Sequence, residues 1–322
     1  MTVLYPLKFT PILKDKIWGG NKLNQLLGKS TPSKCAGESW ELSDVEDNTS
    51  IVANGALKGT NLKTLLQHYQ ANLVGQKVYN HFGAKFPLLI KYIDAKKDLS
   101  VQLHPNDELA KERHQSFGKT EMWYVMQADD NSNLIIDFNQ PTTKELYLKH
   151  LKNKTLPSIL NFETVAKGDT FFIEVGRVHA IGAGVMLAEI QQTSDITYRV
   201  YDWDRTDDQG NSRELHNDLA MDAIDFNMPN DFKVDYKTKQ NKPTTLVSCP
   251  YFTTNIIAIN SEFQKQNNHD SFMIYMAVEG NAVFHVDGKT TDLQYGETIL
   301  IPASLKEFSI TSTNARLLEV YI

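Results

Sequence analysis

Residues 101–107, VQLHPND, set the amide of Gln102 and the imidazole of His104 two positions apart. In an extended strand that spacing turns both side chains to one face, so a single strand offers a metal two ligands at once. Glu121 adds a hard carboxylate at the opening of the strand that follows the GKTE turn, and a second imidazole, His179, ends the distant block GRVHA. Two imidazoles, a carboxylate and an amide oxygen suit Zn²⁺ with a coordination position left for water or substrate; Mn²⁺, Co²⁺ and Fe²⁺ accept the same ligand types. Taken singly, each residue has a plainer reading. A lone strand histidine is more often hydrogen-bonded structure than a ligand, and Glu121 alone reads as a solvated turn charge.

An internal repeat separates these readings. GDTFFIEVGRVHA, from Gly168, lies over GETILIPASLKEF, from Gly296, and WYVMQA around Tyr124 lies over IYMAVEG around Tyr275. At the positions of Glu121 and His179 the second copy carries Met273 and Glu307. The first copy is therefore equipped for chemistry and the second is not, despite His285 in AVFHVDG. The expectation is one metal per chain, with residues from about Lys233 onward structural. Two other motifs fall away: GAG at Gly182 to Gly184 lacks the lysine and strand-to-helix setting of a phosphate loop, and Ser39 in GESW lacks the GxSxG elbow of a hydrolase.

Bringing residues 102, 104, 121 and 179 together requires strands from distant segments. Short β-branched and aromatic runs such as PLLIKYID, MWYVMQA, TFFIEV, VMLAEIQQ and ETILIPA alternate with Gly, Asp and Asn turns, the texture of a β-sandwich or barrel. Helical patterns occur in LKTLLQHYQANLVG, in TTKELYLKHLKN with its Thr caps and in ELHNDLAMDAID, without βαβ alternation. Hydrophobic periodicity disappears in DWDRTDDQGNSREL and VDYKTKQNKPTT, which places a boundary near Asp231 and divides the chain into residues 1–232 and 233–322. The predicted fold is mainly β: two antiparallel barrels of one kind with a few added helices, the first holding the metal.

Composition narrows the partners. A formal net charge of −6 leaves no basic stripe to neutralise a nucleic-acid backbone, yet a local Lys/Arg cluster can still meet a small anion. The two cysteines, Cys35 and Cys249, lie too far apart in sequence to suggest a CxxC zinc site or a disulfide scaffold. No run of ~18 apolar residues and no signal-like h-region occur, so the expectation is a cytoplasmic protein with no membrane partner.

The segments WGG at 18–20, GESWELSD from Gly37, VQLHP, GKTEMWYV, GRVHAIGAG and EIQQTSDITYRVYDWDR together resemble the type I mannose-6-phosphate isomerases in their shorter bacterial form, along most of the chain. The resemblance implies two cupin-like (jelly-roll) barrels and a metal-dependent interconversion of mannose 6-phosphate and fructose 6-phosphate, with the metal on Gln102, His104, Glu121 and His179. It also implies Arg199, ending SDITYR, as a catalytic residue, with Glu189 and Asp195 in the same pocket. Periodicity agrees in part, because an unbroken strand would put residues 189, 191, 193, 195, 197 and 199 on one face. Lys91 and Lys119 match positions near the substrate, and Ser100 and Arg205 fall where phosphate contacts are expected. The DWDR ending departs from the longer eukaryotic forms, which carry a lysine-containing segment there.

Aldose–ketose isomerisation moves a proton between adjacent carbons of an open-chain sugar through an enediol, whose charge a divalent cation can hold. Glu189, Asp195 and a metal-bound water are the candidate proton carriers, and Arg199 suits the enediolate or ring opening. Lys91, Lys119, Ser100 and Arg205 would hold the phosphate. Two rival readings use the same ligands: an Fe(II) cupin oxygenase, which has no use for a Lys/Arg cluster, and a non-catalytic sugar-binding cupin with a structural metal.

Overall fold

The computed structural model describes residues 3–206, 209–227 and 229–322. Its strands form two sandwiches of antiparallel sheets. The first pairs a six-stranded sheet, ordered Thr170–Ile173, Glu121–Ala128, Val185–Gln192, Leu88–Ala95, Ile12–Gly20 and Ala36–Leu42, with a five-stranded one. The latter runs Leu160–Thr164, Asn133–Phe138, His179–Ile181, Val101–Leu103 and Tyr198–Tyr201. The second sandwich repeats the plan with six strands and four.

Alternation explains how one strand serves two cores. In Glu121–Ala128, Trp123 and Val125 point into the first barrel, where they meet Leu134 and Ile136 of the facing sheet. Met122, Tyr124 and Met126 point the other way, into a core shared with Ile274, Met276, Leu318 and Val320 of the second barrel. Buried on both faces, such a strand reads as the near-continuous apolar run MWYVM.

The predicted repeat holds at the level of register. Glu121 stands opposite Ile173 as Met273 stands opposite Ile301, and Thr170 lies across from Tyr124 as Thr298 lies across from Met276. That register matches Tyr275 with Trp123, one position from the Tyr124 suggested by the aromatic runs. The chain's first strand, Leu7–Lys8, lies in the second barrel's sheet, paired with Leu300 and Ile299.

The helices are less faithful to their periodicity. LKTLLQHYQANLVG becomes Leu62–Tyr69 and Ala71–Val74, broken at Gln70 with φ +46°. Lys144–Lys152 forms as expected, with Thr143 accepting the N–H of Leu146 as cap. ELHNDLAMDAID keeps only the single turn Asn217–Ala220, because the carbonyl of Glu214 and the backbone N–H of His216 are bonded to Arg199 instead. An unanticipated helix, Asp107–His114, follows the VQLHPN segment, capped by Asn106; polar residues surround it, so it leaves no amphipathic signature. Among the described residues no helix is long and apolar enough to cross a membrane.

Candidate active site

Gln102 and His179 are Cα partners on neighbouring strands, His104 follows directly after Val101–Leu103, and Glu121 opens the strand Glu121–Ala128 of the facing sheet. The fold thus gathers residues far apart in sequence at one end of the first barrel. His104 Nε2 lies 3.5 Å from Glu121 Oε2 and His179 Nε2 lies 3.6 Å from Glu121 Oε1, all three residues being buried. The far ring nitrogens are engaged: His104 Nδ1 donates to the carbonyl of Ile196 at 2.8 Å and His179 Nδ1 to that of Arg177 at 2.9 Å. A carbonyl can only accept, so each Nδ1 carries the proton and each Nε2 presents a lone pair.

Those two Nε2 atoms and both Glu121 oxygens are buried without a hydrogen-bond partner. Leaving even one such group unpaired costs about 1–3 kcal/mol, so convergent lone pairs ask for a cation. The ligand atoms lie within 4.8 Å of one another, which could hold a metal ion. Burial holds His104 well below the usual imidazole range and His179 at about 3, so both stay neutral, as ligation requires. Burial, then the charge of Glu189, pushes Glu121 up to about 8, a carboxyl that needs a neighbouring cation to ionise fully at neutral pH. Donor types and protonation fit a divalent metal.

A cavity of about 450 Å³ opens onto this cluster. Lys91, Ser100, Gln102, Lys119, Glu189, Asp195 and Arg199 all reach its wall. No unbroken strand runs from 189 to 199, the condition on which the parity rested: Val185–Gln192 ends in the six-stranded sheet, and Tyr198–Tyr201 belongs to the five-stranded one. Glu189, Asp195, Thr197 and Arg199 still share the cavity because the chain crosses between sheets around it, whereas Gln191 turns away to bond Ser194 O at 2.6 Å.

Residues 6–138 match the phosphomannose isomerase type I catalytic domain and residues 242–322 the mannose-6-phosphate isomerase cupin domain. Mannose-6-phosphate isomerase ManA of Bacillus subtilis is 35% identical over 308 residues, covering 95% of each chain. The chain belongs to the type I phosphomannose isomerases. The mannose-6-phosphate isomerase of Streptococcus mutans is 34% identical over 94% of each chain. The crystal structure of the mannose 6-phosphate isomerase from Bacillus subtilis superposes with a TM-score of 0.89 at 33% identity, over 99% of this chain and all of that one.

Within the cavity the charges are arranged in pairs. Glu189 accepts from Lys91 Nζ at 2.8 Å and from Trp123 Nε1 at 3.0 Å. Burial alone would raise it, but Lys91 and then Lys119 outweigh that and hold it at about 2. Glu38, bound by Trp40 Nε1 at 2.7 Å and Lys16 at 3.1 Å, is likewise held below the ordinary range, chiefly by Lys91 against the pull of burial. Arg199 donates to the Glu214 carbonyl at 2.8 Å, and His216 Nδ1 accepts its backbone N–H at 3.0 Å. Burial, then Arg213, lowers its pKa.

Arg205 is not brought to the cavity wall. Its guanidinium donates to the Asp98 carbonyl at 2.7 Å and to the Asp202 carboxylate. Beside Arg199, a second arginine reaches the wall, Arg213, which the sequence reading missed; it grips the same carboxylate at 2.6 and 2.7 Å. Arg213 sits in a turn-rich stretch without periodicity, so only the acid it shares with Arg205 would have pointed to it. Trp40 and Glu38 of GESW, with Lys14 and Lys16, are among the wall residues left unassigned by sequence.

Proposed function

We propose that the cavity interconverts mannose 6-phosphate and fructose 6-phosphate, with Zn²⁺ as the metal that Gln102, His104, Glu121 and His179 would hold. As a type I phosphomannose isomerase the chain is an aldose–ketose isomerase. The observation that carries the site assignment is the set of unpaired lone pairs on His104, Glu121 and His179 at the end of a cation-rich cavity. When bound, the metal supplies polarisation of the sugar carbonyl and a counter-charge for the enediolate.

The chain's own residues do the rest. Glu189, held ionised by two donors, is mismatched as a base near neutral pH and serves to fix the Lys91 ammonium, whose remaining N–H groups face the sugar. Asp195 lies exposed in the wall, its carboxylate without an ion pair or hydrogen bond among the described residues, and is the carboxylate open to take the proton from one carbon and return it to the next. Arg199 meets the negative charge that develops on the substrate oxygens. Ser100, Lys119 and Arg213 hold the phosphate, and Arg205 acts behind them by orienting Asp202. Lys14, Lys16, Lys91, Lys119, Arg199 and Arg213 face only Glu38, Glu189 and Asp195 in that wall, an excess of positive charge suited to an anionic substrate and without purpose in an oxygenase.

The test is conversion of mannose 6-phosphate to fructose 6-phosphate without oxygen, before and after chelation. Activity is expected to vanish on chelation and to return with Zn²⁺. Full turnover by protein shown to be metal-free would overturn the reading.

A further inference from the structure

Asp107 begins the helix three residues after His104, and its carboxylate ties together the segments that carry the site. Oδ1 accepts from the backbone N–H of Gly118 at 2.7 Å and from Gln192 Nε2 at 3.0 Å. Gln192 Oε1 in turn accepts from the N–H of Thr120 at 2.9 Å. Gly118 and Thr120 flank Lys119 and lead directly into Glu121, while Gln192 ends the strand that bears Glu189. The approach is so close that a Cβ on residue 118 would stand 2.8 Å from Asn106 C and Asp107 N, which requires glycine there. The other oxygen, Oδ2, accepts from the Tyr251 hydroxyl at 2.9 Å. Tyr251 comes from the second barrel, between strands Pro243–Ser248 and Thr253–Ile259, with its ring against the core the two barrels share.

We propose that Tyr251 is a positioning residue for the isomerase reaction: its hydroxyl fixes the rotation of the Asp107 carboxylate, and through it the 118–120 turn that aims Lys119 and Glu121. The proposal rests on the reading of this cavity as the active site. A carboxylate anchored through one oxygen can swing about its Cβ–Cγ bond, and the turn it holds would then wander. Lys119 Nζ stands 3.5 Å from Glu121 Oε2, so movement of the turn displaces a substrate-facing ammonium and a ligand together. Productive sites tolerate about 0.5 Å of such error. The second barrel, which supplies no ligand, would in this way tune the first.

Tyr251→Phe removes one oxygen and keeps the ring. The expected result is a fall in kcat of about threefold to tenfold, smaller than the roughly 10–100-fold seen when a group bonded directly to a ligand is lost, with KM nearly unchanged. Amide hydrogen exchange across residues 118–121 should accelerate, in metal-free as in metal-loaded protein. Tyr275→Phe is the control, since it takes a buried hydroxyl from Glu319 inside the second barrel: stability should drop while kcat and exchange at 118–121 stay at the wild-type level. Asp107→Asn approaches the same contact from the other side and should slow turnover likewise, and adding Tyr251→Phe to it should cost little more. Wild-type kcat and exchange in Tyr251→Phe, or equal changes in Tyr275→Phe, would overturn the proposal. Failure of the isomerase reading itself would show separately, as wild-type protein without turnover, while exchange still reports on the brace.

Discussion

The two barrels place a glutamate at the same point and surround it differently. Glu189 is paired in register with Trp123 and Lys91, and Glu319 with Tyr275 and Asn255. Both are buried, and both are held by side chains from the two neighbouring strands: Trp123 and Lys91 in one case, Tyr275 at 2.6 Å and Asn255 at 3.0 Å in the other. Lys265 from the opposite sheet closes on Glu319 at 2.8 Å, and Tyr275, Phe284 and Phe308 fill the interior with touching rings. In the first barrel the neighbourhood of Glu189 holds His104, Glu121 and His179 instead. Gln266 opposite Glu307 even repeats the placing of Gln102 opposite His179, but on exposed positions. A buried carboxylate is thus part of the common frame. Chemistry arises where the interior is left to ligands, and stability where aromatic rings and an internal ion pair occupy it.

The sharpest way to break this comparison is to change a histidine in each barrel. His179→Ala should abolish metal binding and cut kcat/KM by about a thousandfold or more, some 4 kcal/mol at 1.4 kcal/mol per tenfold. His285→Ala should keep both, because His285 Nε2 is bonded to Thr311 Oγ1 at 2.8 Å across its own sheet. Metal analysis and steady-state rates check the pair; loss of metal from the His285 variant would end the distinction. Next in size, Glu319→Ala strands Lys265 and the Tyr275 hydroxyl in the second barrel and should lower unfolding free energy by about 3 kcal/mol, read by denaturant titration. Its metal content should stay at one per chain. Smallest is Arg199→Ala, expected to retain fold and metal while kcat falls at least about tenfold, measured under saturating mannose 6-phosphate. An unchanged kcat would remove Arg199 from the chemistry of the first barrel.

Much of this frame was legible because its signals are local or repeated. Strands buried on both faces announce themselves as apolar runs, the Gly-acid-Thr openings at Gly168 and Gly296 set the repeat in register, and Gln102 and His104 share a face by simple alternation. What escaped depends on tertiary contacts that leave no periodic trace. Arg205 and Arg213 bond the same oxygen of Asp202, and Arg213 rather than Arg205 goes on to line the cavity, a difference that no local motif records. The crossing at residues 193–197 carries Asp195 into the site by changing sheets, which parity along a strand cannot express. The helix expected after Arg213 shrinks to one turn because backbone groups there serve Arg199. Tyr251 had no motif at all, and its meaning lies wholly in meeting Asp107.

The pairing of Leu7 with Leu300, reinforced by Lys8 Nζ on Glu297 at 2.6 Å, also bears on how the molecule is made. Chains leave the ribosome from the N-terminus at about 5–20 residues per second, so Leu7–Lys8 emerges well before the strand it will pair with. During that interval the edge it will cover does not yet exist, and its own polar backbone remains without a sheet. Closure of this strand therefore waits on the second barrel: until Ile299 and Leu300 are in place, the segment around Leu7 stays unclaimed and open to proteases that the closed sheet excludes.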